Sequence, residues 1–464
     1  MNYIEAIKAA GFGTNPAYPQ NDIGIARLFY DLHGGVICFV PERNTWFAYS
    51  GRRWVKENGI YRTQELCKEF TQGLNEYAKI YRADDSEFIK YAGKLTSRHN
   101  RESILKDAQS IAPVSLSEFD KDKLLLNCLN GTLNLKNFTL QAHNPQDRIT
   151  KLAFAKYDIG ATYDRWERFI DEVMCGERDT AAYLQKALGY ACTGLMDYEC
   201  FFVLYGQSSR NGKTTLTESV GTVLGDYCIT AQPQTFARRN SDGSAASPDT
   251  ARLKGARLIN IPEPEKEMTL NSALIKQLTG GDKYAGRYLN ENIFEFRMEG
   301  KPFINTNHLP RVSDDTVFAS GRAKIIPFKK HFTEAEQDKT LKQKFREGKA
   351  KSAILNWLVD GYRLILENGF DAPPTVVQAV AEYREEADVI GIFLSEHTVG
   401  KEGGRLSTAL LYAHYAAWTK DNGYKPMNNK NFVSEIQRRF EIRRDGKIGK
   451  VIIGLAMAFE QNPQ

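Results

Sequence analysis

Phe201-Phe-Val-Leu-Tyr-Gly206-Gln-Ser-Ser-Arg-Asn211-Gly212-Lys213-Thr214-Thr215 is the stretch that decides the fold. A short apolar run enters a polar loop bounded by glycines, and Lys-Thr-Thr then opens a helix, the pattern of a phosphate-binding loop. Glycine lets backbone N–H groups converge on phosphates, Lys213 reaches the β and γ phosphates, and the Thr214 hydroxyl offers a ligand to Mg²⁺ at the helix N-terminus. Gly206, Asn211, Gly212, Lys213, Thr214 and Thr215 are therefore the expected contacts for ATP and its Mg²⁺. Gly206 and Gly212 enclose five residues (212 − 206 − 1), one more than the usual pattern. The alternative is a Gly-Lys-Thr helix start that binds no nucleotide.

Downstream, short apolar runs alternate with polar loops at Leu258–Ile261, Phe303–Thr306 and Lys324–Phe328. Together with Phe201–Tyr205 they read as strands of a covered, mostly parallel sheet in an α/β domain. A phosphate loop needs an acid that orients metal and water, and such an acid sits at the end of a neighbouring strand. Glu263, in Arg257-Leu-Ile-Asn-Ile-Pro-Glu263-Pro-Glu265, stands where that strand ends; it is the expected metal and catalytic acid, with Glu265 sharing its work. Asn307, after the run Phe303-Ile-Asn-Thr, is the expected sensor of the γ phosphate. Taken alone, the first motif also reads as a solvated loop and the second as a strand-end turn. Arg322, just before a strand, could reach a neighbouring subunit's nucleotide in a ring, where a guanidinium stabilises charge spread over phosphoryl oxygens.

The chain has 464 residues, enough for two to four domains, and 42% hydrophobic with 26% charged residues excludes disorder and fibrous repeats. Net charge is +5, so any nucleic-acid contact must be local. Seven dispersed cysteines lack the spacing of a zinc site and fit a reducing compartment. With no run of about 18 apolar residues, neither a membrane span nor a signal peptide is expected, and the cytoplasm is the expected setting.

Four regions follow from the pattern. Residues 1–160 read as an α+β domain, with a hairpin around Trp46 and Trp54, helices at 63–81 and 86–111, and a second hairpin turning at Asn130-Gly131. Residues 161–335 hold the phosphate-loop α/β domain behind a helical brace, and 336–395 a helical segment. Residues 396–464 read as helix, helix and a hairpin turning at Asp445-Gly446, a winged-helix-like unit. Its cations (Lys425, Lys430, Arg438, Arg439, Arg443, Arg444, Lys447 and Lys450) outnumber its acids, and Arg438, Arg439, Arg443, Arg444 and Lys447 are the expected duplex contacts. A solvated helix face with a structural hairpin is the alternative. Asp120 and Asp122 read as a surface turn and not as a metal site.

Asn211-Gly-Lys-Thr, the Glu263-Pro-Glu strand end, Leu274-Ile-Lys-Gln-Leu-Thr-Gly280-Gly281-Asp282 and Thr306-Asn307-His-Leu-Pro, in that order, resemble the superfamily 3 helicases. The resemblance is to the phage and plasmid primase-helicase relatives of the poxvirus nucleoside triphosphatase family. Residues from about Phe29 to Lys156 resemble the domain that precedes this motor. The resemblance implies an AAA+ type core, a homo-hexameric ring and 3′ to 5′ movement on one DNA strand. It also implies that Lys283, Arg287 and Tyr288 lie on a hairpin lining the ring channel, where cations grip phosphates and aromatics meet bases; a surface hairpin with incidental charge is the alternative. The expected function is an ATP-dependent DNA helicase replicating a phage or mobile element in a bacterial cell. Its expected partners are single-stranded and forked DNA and a separate primase or polymerase. The rival readings are an ATP-switched origin-binding initiator and a non-enzymatic scaffold.

Overall fold

Capping side chains punctuate the amino-terminal third. Asn2 caps α1 (Tyr3–Ala10) and Asn21 caps α2 (Asp22–His33), each accepting a hydrogen bond from a first-turn N–H. The computed structural model describes residues 1–238, 248–266, 268–288, 293–312, 316–422, 424 and 426–458. After α2 comes an antiparallel meander of β1 (Ile37–Val40), β2 (Thr45–Tyr49) and β3 (Trp54–Lys56), which contains the hairpin expected around Trp46 and Trp54. Helices α3 (Tyr61–Tyr81), α4 (Ser86–Leu95) and α5 (Arg98–Ala108) pack Phe70, Leu74, Phe88 and Ile104 into a core shared with Phe29 and Trp46. One helix was expected across 86–111. Ser97 divides it, because its hydroxyl accepts from Asn100 N–H and starts a new helix.

A second meander, β4 (Leu125–Cys128), β5 (Gly131–Asn134) and β6 (Thr139–Gln141), turns at the expected Asn130-Gly131. Gly131 has φ +153°, and a Cβ there would lie 2.4 Å from the Gln141 carbonyl oxygen. Asp120 serves this region structurally: its carboxylate accepts from the Thr150 N–H and hydroxyl.

The next elements are α6 (Asp164–Val173), α7 (Arg178–Tyr190), β7 (Phe201–Tyr205), α8 (Lys213–Leu224), β8 (Cys228–Thr230), the short α9 (Pro248–Ala251) and β9 (Leu258–Ile261). There follow β10 (Thr269–Leu270), α10 (Ser272–Thr279), the hairpin β11 (Lys283–Arg287) and β12 (Ile293–Arg297), β13 (Lys301–Thr306), β14 (Arg311–Val312), α11 (Thr316–Ala319) and β15 (Ala323–Pro327). Five of these strands form one parallel sheet in the order β15-β7-β13-β9-β8. Phe201, Phe202, Val203 and Leu204 are fully buried, as expected of a strand covered on both faces. The α/β class with a parallel sheet is therefore observed.

Helices brace this sheet. In α13 (Gly348–Asn368), which follows α12 (Leu341–Lys344), Gly361 lies so close to α7 that a Cβ would sit 2.2 Å from the Gln185 carbonyl oxygen. Trp166 of α6 meets Phe345 and Trp357 edge-on at 5.1 and 5.5 Å, locking brace to helix. Two buried cations tie the lower ends of the sheet strands to their surroundings. Arg257 donates to the carbonyl oxygens of Cys192 and Leu125, and Lys301 donates to those of Thr193 and Glu299.

The chain divides into two compact units, Met1–Val377 and Gln378–Gln464, with α14 (Pro374–Ala387) spanning the division. The second contains α15 (Val389–His397), β16 (Thr398–Ser407), α16 (Thr408–Asp421), α17 (Asn429–Arg439), β17 (Ile442–Asp445) and β18 (Gly449–Met457). Its sheet runs β16-β18-β17, antiparallel, over a core of Phe393, Tyr415, Trp418, Phe432 and Ile436. The two helices α16 and α17 followed by the β17–β18 wing follow the helix, helix, hairpin order expected here, with α15 and β16 added before them. The four-region division drawn from sequence is carried forward as a proposal within these two units.

Candidate nucleotide and nucleic-acid sites

Parallel pairing brings the residues after β7, β13 and β9 to one edge of the sheet, where a crevice beyond the strand ends is the usual ligand site of such sheets. Thr306 pairs with Tyr205 and Ile304 with Ile261, so Gly206, Asn307 and Glu263 emerge side by side. Lys213 opens α8 at this edge, buried, and its Nζ donates to Asn307 Oδ1 at 2.7 Å and lies 3.5 Å from the Gly206 carbonyl oxygen. Asn307 in turn donates from its backbone N–H and its Nδ2 to the two oxygens of Glu263, each at 3.1 Å. Lysine, amide and carboxylate thus form one continuous contact. Burial holds the Lys213 ammonium down at about 8, against the Glu263 charge, which pulls it upward.

The loop itself is shaped for an anion. Arg210 and Gly212 adopt left-handed backbone, φ +58° and +85°, the kind of conformation that turns neighbouring N–H groups toward one point. A Cβ at Gly206 would meet Asn211 Nδ2 at 2.3 Å, and one at Gly212 would meet Val173 Cγ1 at 2.5 Å, so both glycines are required by packing. Asn211 is buried and braces the loop, its Nδ2 donating to the Ser208 carbonyl at 2.6 Å. Thr214 is exposed on the first turn of α8, and Thr215 is half-buried with its carbonyl accepting from Ser219. A buried cation, a left-handed loop, an exposed hydroxyl and an exposed carboxylate fit a nucleoside triphosphate with a hard divalent cation. Thr214 and Glu263 would hold the cation, whose chemistry is neutralisation of phosphate charge. Glu265 is exposed, and among the described residues no hydrogen bond links its carboxylate to this contact.

Arg322 stands at the other edge of the sheet. It precedes β15, pairs with Glu199 at 2.5 Å and donates to Thr279 Oγ1 at 2.8 Å. Beside it lies a polar cleft lined by Glu199, Lys276, Gly280, Asp282 and Lys283.

The segment expected to line a channel is the hairpin β11–β12, whose tip, residues 289–292, lies outside the described residues. Lys283 is exposed and paired with Glu295 at 2.9 Å, Arg287 is exposed, and the Tyr288 ring stacks on Phe294 at 5.1 Å. In the second unit, Arg438 pairs with Glu435, Arg443 with Glu441, and Arg439 makes a two-pronged pair with Asp388 at 2.6 and 2.7 Å. Arg444 and Lys447 are exposed on the wing; Lys425 lies outside the described residues.

Sequence reasoning missed Asn260 and Asn305. Asn305 Nδ2 donates to Asn260 Oδ1 at 2.7 Å across β13 and β9, directly below the Asn307–Glu263 contact. The signal was available: each asparagine interrupts an otherwise apolar strand, and a buried amide requires a partner. The partners of Arg322, Glu199 and Thr279, carried no such signal.

Residues 26–175 match the family model described as D5 N terminal like, and residues 385–460 the one described as Poxvirus D5 protein-like. The chain is therefore similar to D5-type domains on both sides of the strand-and-loop region 201–328, in keeping with the resemblance read from its motifs. A protein of Acanthamoeba polyphaga mimivirus named as a helicase is 25% identical over 89% of this chain and 47% of its own length. One from Frog virus 3, likewise named, is 23% identical over 86% and 40%. The chain spans less than half the length of these relatives. An apo structure of the NrS-1 C-terminal region superposes with a TM-score of 0.48 at 10% identity, covering 94% of this chain and 100% of that one. Among the described residues no helix is long and apolar enough to cross a membrane.

Proposed function

We propose that this chain is an ATP-dependent DNA helicase motor that assembles as a homo-hexameric ring and moves 3′ to 5′ on single-stranded DNA at a fork. The observation that carries the reading is the Lys213–Asn307–Glu263 contact at the edge of the parallel sheet. In it, Lys213 and the loop amides bind the β and γ phosphates, and Thr214 and Glu263 hold Mg²⁺. Glu263, with Glu265 two positions on, orients the attacking water, and Asn307 reads the γ phosphate by turning its Nδ2 donor from Glu263 to a phosphate oxygen. Arg322 acts on the nucleotide of the neighbouring subunit. Lys283, Arg287 and Tyr288 contact the strand, and Arg438, Arg443, Arg444 and Lys447 contact duplex, while Arg439 is held by Asp388. A separate primase or polymerase is the proposed companion. Replication of a mobile genome finds support in relatives that come from viruses; a bacterial host does not, because those viruses are named for an amoeba and a frog.

A second reading, an initiator that uses ATP as an assembly switch at an origin, is favoured by the winged-helix order of the second unit and its exposed wing cations. One experiment separates the readings: steady-state ATP hydrolysis with and without single-stranded DNA, for wild type, Lys213→Ala and Arg322→Ala, with mass photometry on the same samples. Stimulation by DNA in a ring-sized species, abolished by either substitution without loss of assembly, is the expected result. Hydrolysis indifferent to DNA, or a monomer throughout, overturns the motor reading in favour of the switch.

A further inference from the structure

Arg43 ends the single helical turn Pro41–Arg43 between β1 and β2, far from the motor in sequence, yet its guanidinium carbon lies 4.0 Å from the centre of the Tyr288 ring. The other neighbour of that ring is Phe294, stacked near-parallel at 17°. Lys254, in the segment leading to β9, continues the column with its Nζ 5.3 Å from the Phe294 centroid. Cation, ring, ring and cation are thus contributed by three separate segments. The turn that presents Arg43 is held firmly: Glu42 accepts from the Ser115 hydroxyl at 2.7 Å and from the Leu116 N–H at 3.1 Å. Gly286, which pairs with Phe294 near the turn end of the hairpin, lies against Ala251 of α9, so the column and this contact engage the same end.

A guanidinium over a tyrosine and a base stacked on one draw on the same ring face with comparable strength. With Arg43 over it and Phe294 stacked on it, the Tyr288 ring offers no face to a base. We propose that Arg43 is a latch: it holds the hairpin against the amino-terminal meander and covers Tyr288, and single-stranded DNA must displace it to stack there. This rests on the reading of the hairpin as the DNA contact and adds a control to it. The amino-terminal meander thereby sets how readily the motor engages a strand, by a contact that neither the phosphate loop nor Arg322 touches.

The test uses the full chain without nucleotide, a fluorescent oligo-dT in anisotropy titrations, and hydrogen exchange of the hairpin amides in 283–297 without DNA. Arg43→Ala is expected to tighten oligo-dT binding by roughly 3- to 10-fold and to accelerate hairpin exchange. Arg43→Gln, which keeps the length and loses the charge, is expected to do the same and guards against a folding defect in the first variant. In a Tyr288→Leu background, Arg43→Ala is expected to change binding no further. Weaker binding in Arg43→Ala overturns the latch, since Arg43 would then be a DNA contact itself. Unchanged exchange overturns it whatever the DNA does. Accelerated exchange with no oligo-dT bound by any variant sinks the single-strand reading of the hairpin, and the competition with it, while leaving the contact itself measured.

Discussion

Binding of ATP should weaken with rising pH in a way that Lys213 alone explains. Burial lowers this ammonium from its ordinary value of 10.5 to about 8 in the free chain, with the Glu263 charge opposing it. A triphosphate brings negative charge to Nζ and returns the group toward its ordinary range. The sign follows directly: the complex holds a proton that the free chain has lost above pH 8, so binding takes up a proton and affinity falls as pH rises. Between pH 7 and 9 the loss is about tenfold, since one pKa unit corresponds to about 1.4 kcal/mol and the window spans one unit above the free value. The phosphate contributes little, being ionised with a second pKa near 6. Isothermal titration at pH 7, 8 and 9, in two buffers of different ionisation enthalpy, measures both the affinity and a proton uptake that approaches one at pH 9. Lys213→Arg stays charged throughout and should give a flat profile whatever its absolute affinity. A flat profile in wild type refutes the reasoning. A slope that survives in Lys213→Arg assigns the titration elsewhere, Lys254 being the other lysine that burial holds at about 8.

Gly212→Ala should abolish nucleotide binding in a folded protein. Its left-handed backbone costs a side chain about 1–2 kcal/mol, and the added Cβ drives into Val173 of α6; an unchanged affinity for ATP would remove the loop from the site. In the second unit the cations should separate into two kinds. Arg439→Ala, by breaking the two-pronged pair with Asp388 at the cap of α15, is expected to lower stability by about 1 kcal/mol in chemical denaturation. Arg444→Ala and Lys447→Ala should leave stability unchanged and each reduce the salt slope of duplex binding by about one. Loss of duplex binding in Arg439→Ala at full stability would reverse that assignment.

Much of the sheet was legible because a strand buried on both faces must be apolar throughout. Phe201–Tyr205 and Phe303–Thr306 announce themselves that way. The strand β8, Cys228-Ile-Thr, is too short and too exposed to stand out, and β16 hides behind Gly400, Gly403 and Gly404, which read as loop yet carry the bulge between Gly400 and Arg405. The meeting of Lys213 with Asn307 and Glu263 was foreseeable from strand ends, because parallel neighbours deliver their following residues to one edge. Asn305 and Asn260 each interrupt an apolar run, which marks an amide in need of a partner, but that they partner each other follows only from the pairing of β13 with β9. The charge tally at the carboxy-terminus counted nearby acids alone, whereas Asp388, which engages Arg439, lies 51 positions upstream.

The same parallel register bears on how Arg322 could serve a nucleotide at all. Ala323 pairs with Phe201 and Pro327 with Tyr205, so Arg322 and the phosphate loop leave opposite ends of adjacent strands. Five residues at about 3.3 Å each separate those ends by roughly 16 Å, more than an arginine side chain spans. If Arg322 is a finger, it must therefore serve another copy, and a head-to-tail interface that closes into a ring gives every site one such neighbour. Complementation tests this without any assumption about ring size. Lys213→Ala and Arg322→Ala should each be inactive alone, the first lacking its own phosphate lysine and the second lacking what it donates. Mixed in equal amounts, they should regain hydrolysis, because about a quarter of randomly formed interfaces join an intact Lys213 to an intact Arg322. Recovered activity in the mixture can come only from a site shared between two chains. Mixtures that co-assemble by mass photometry yet stay inactive would mean that Arg322, with Glu199 and Thr279, is part of the fold and not of the reaction.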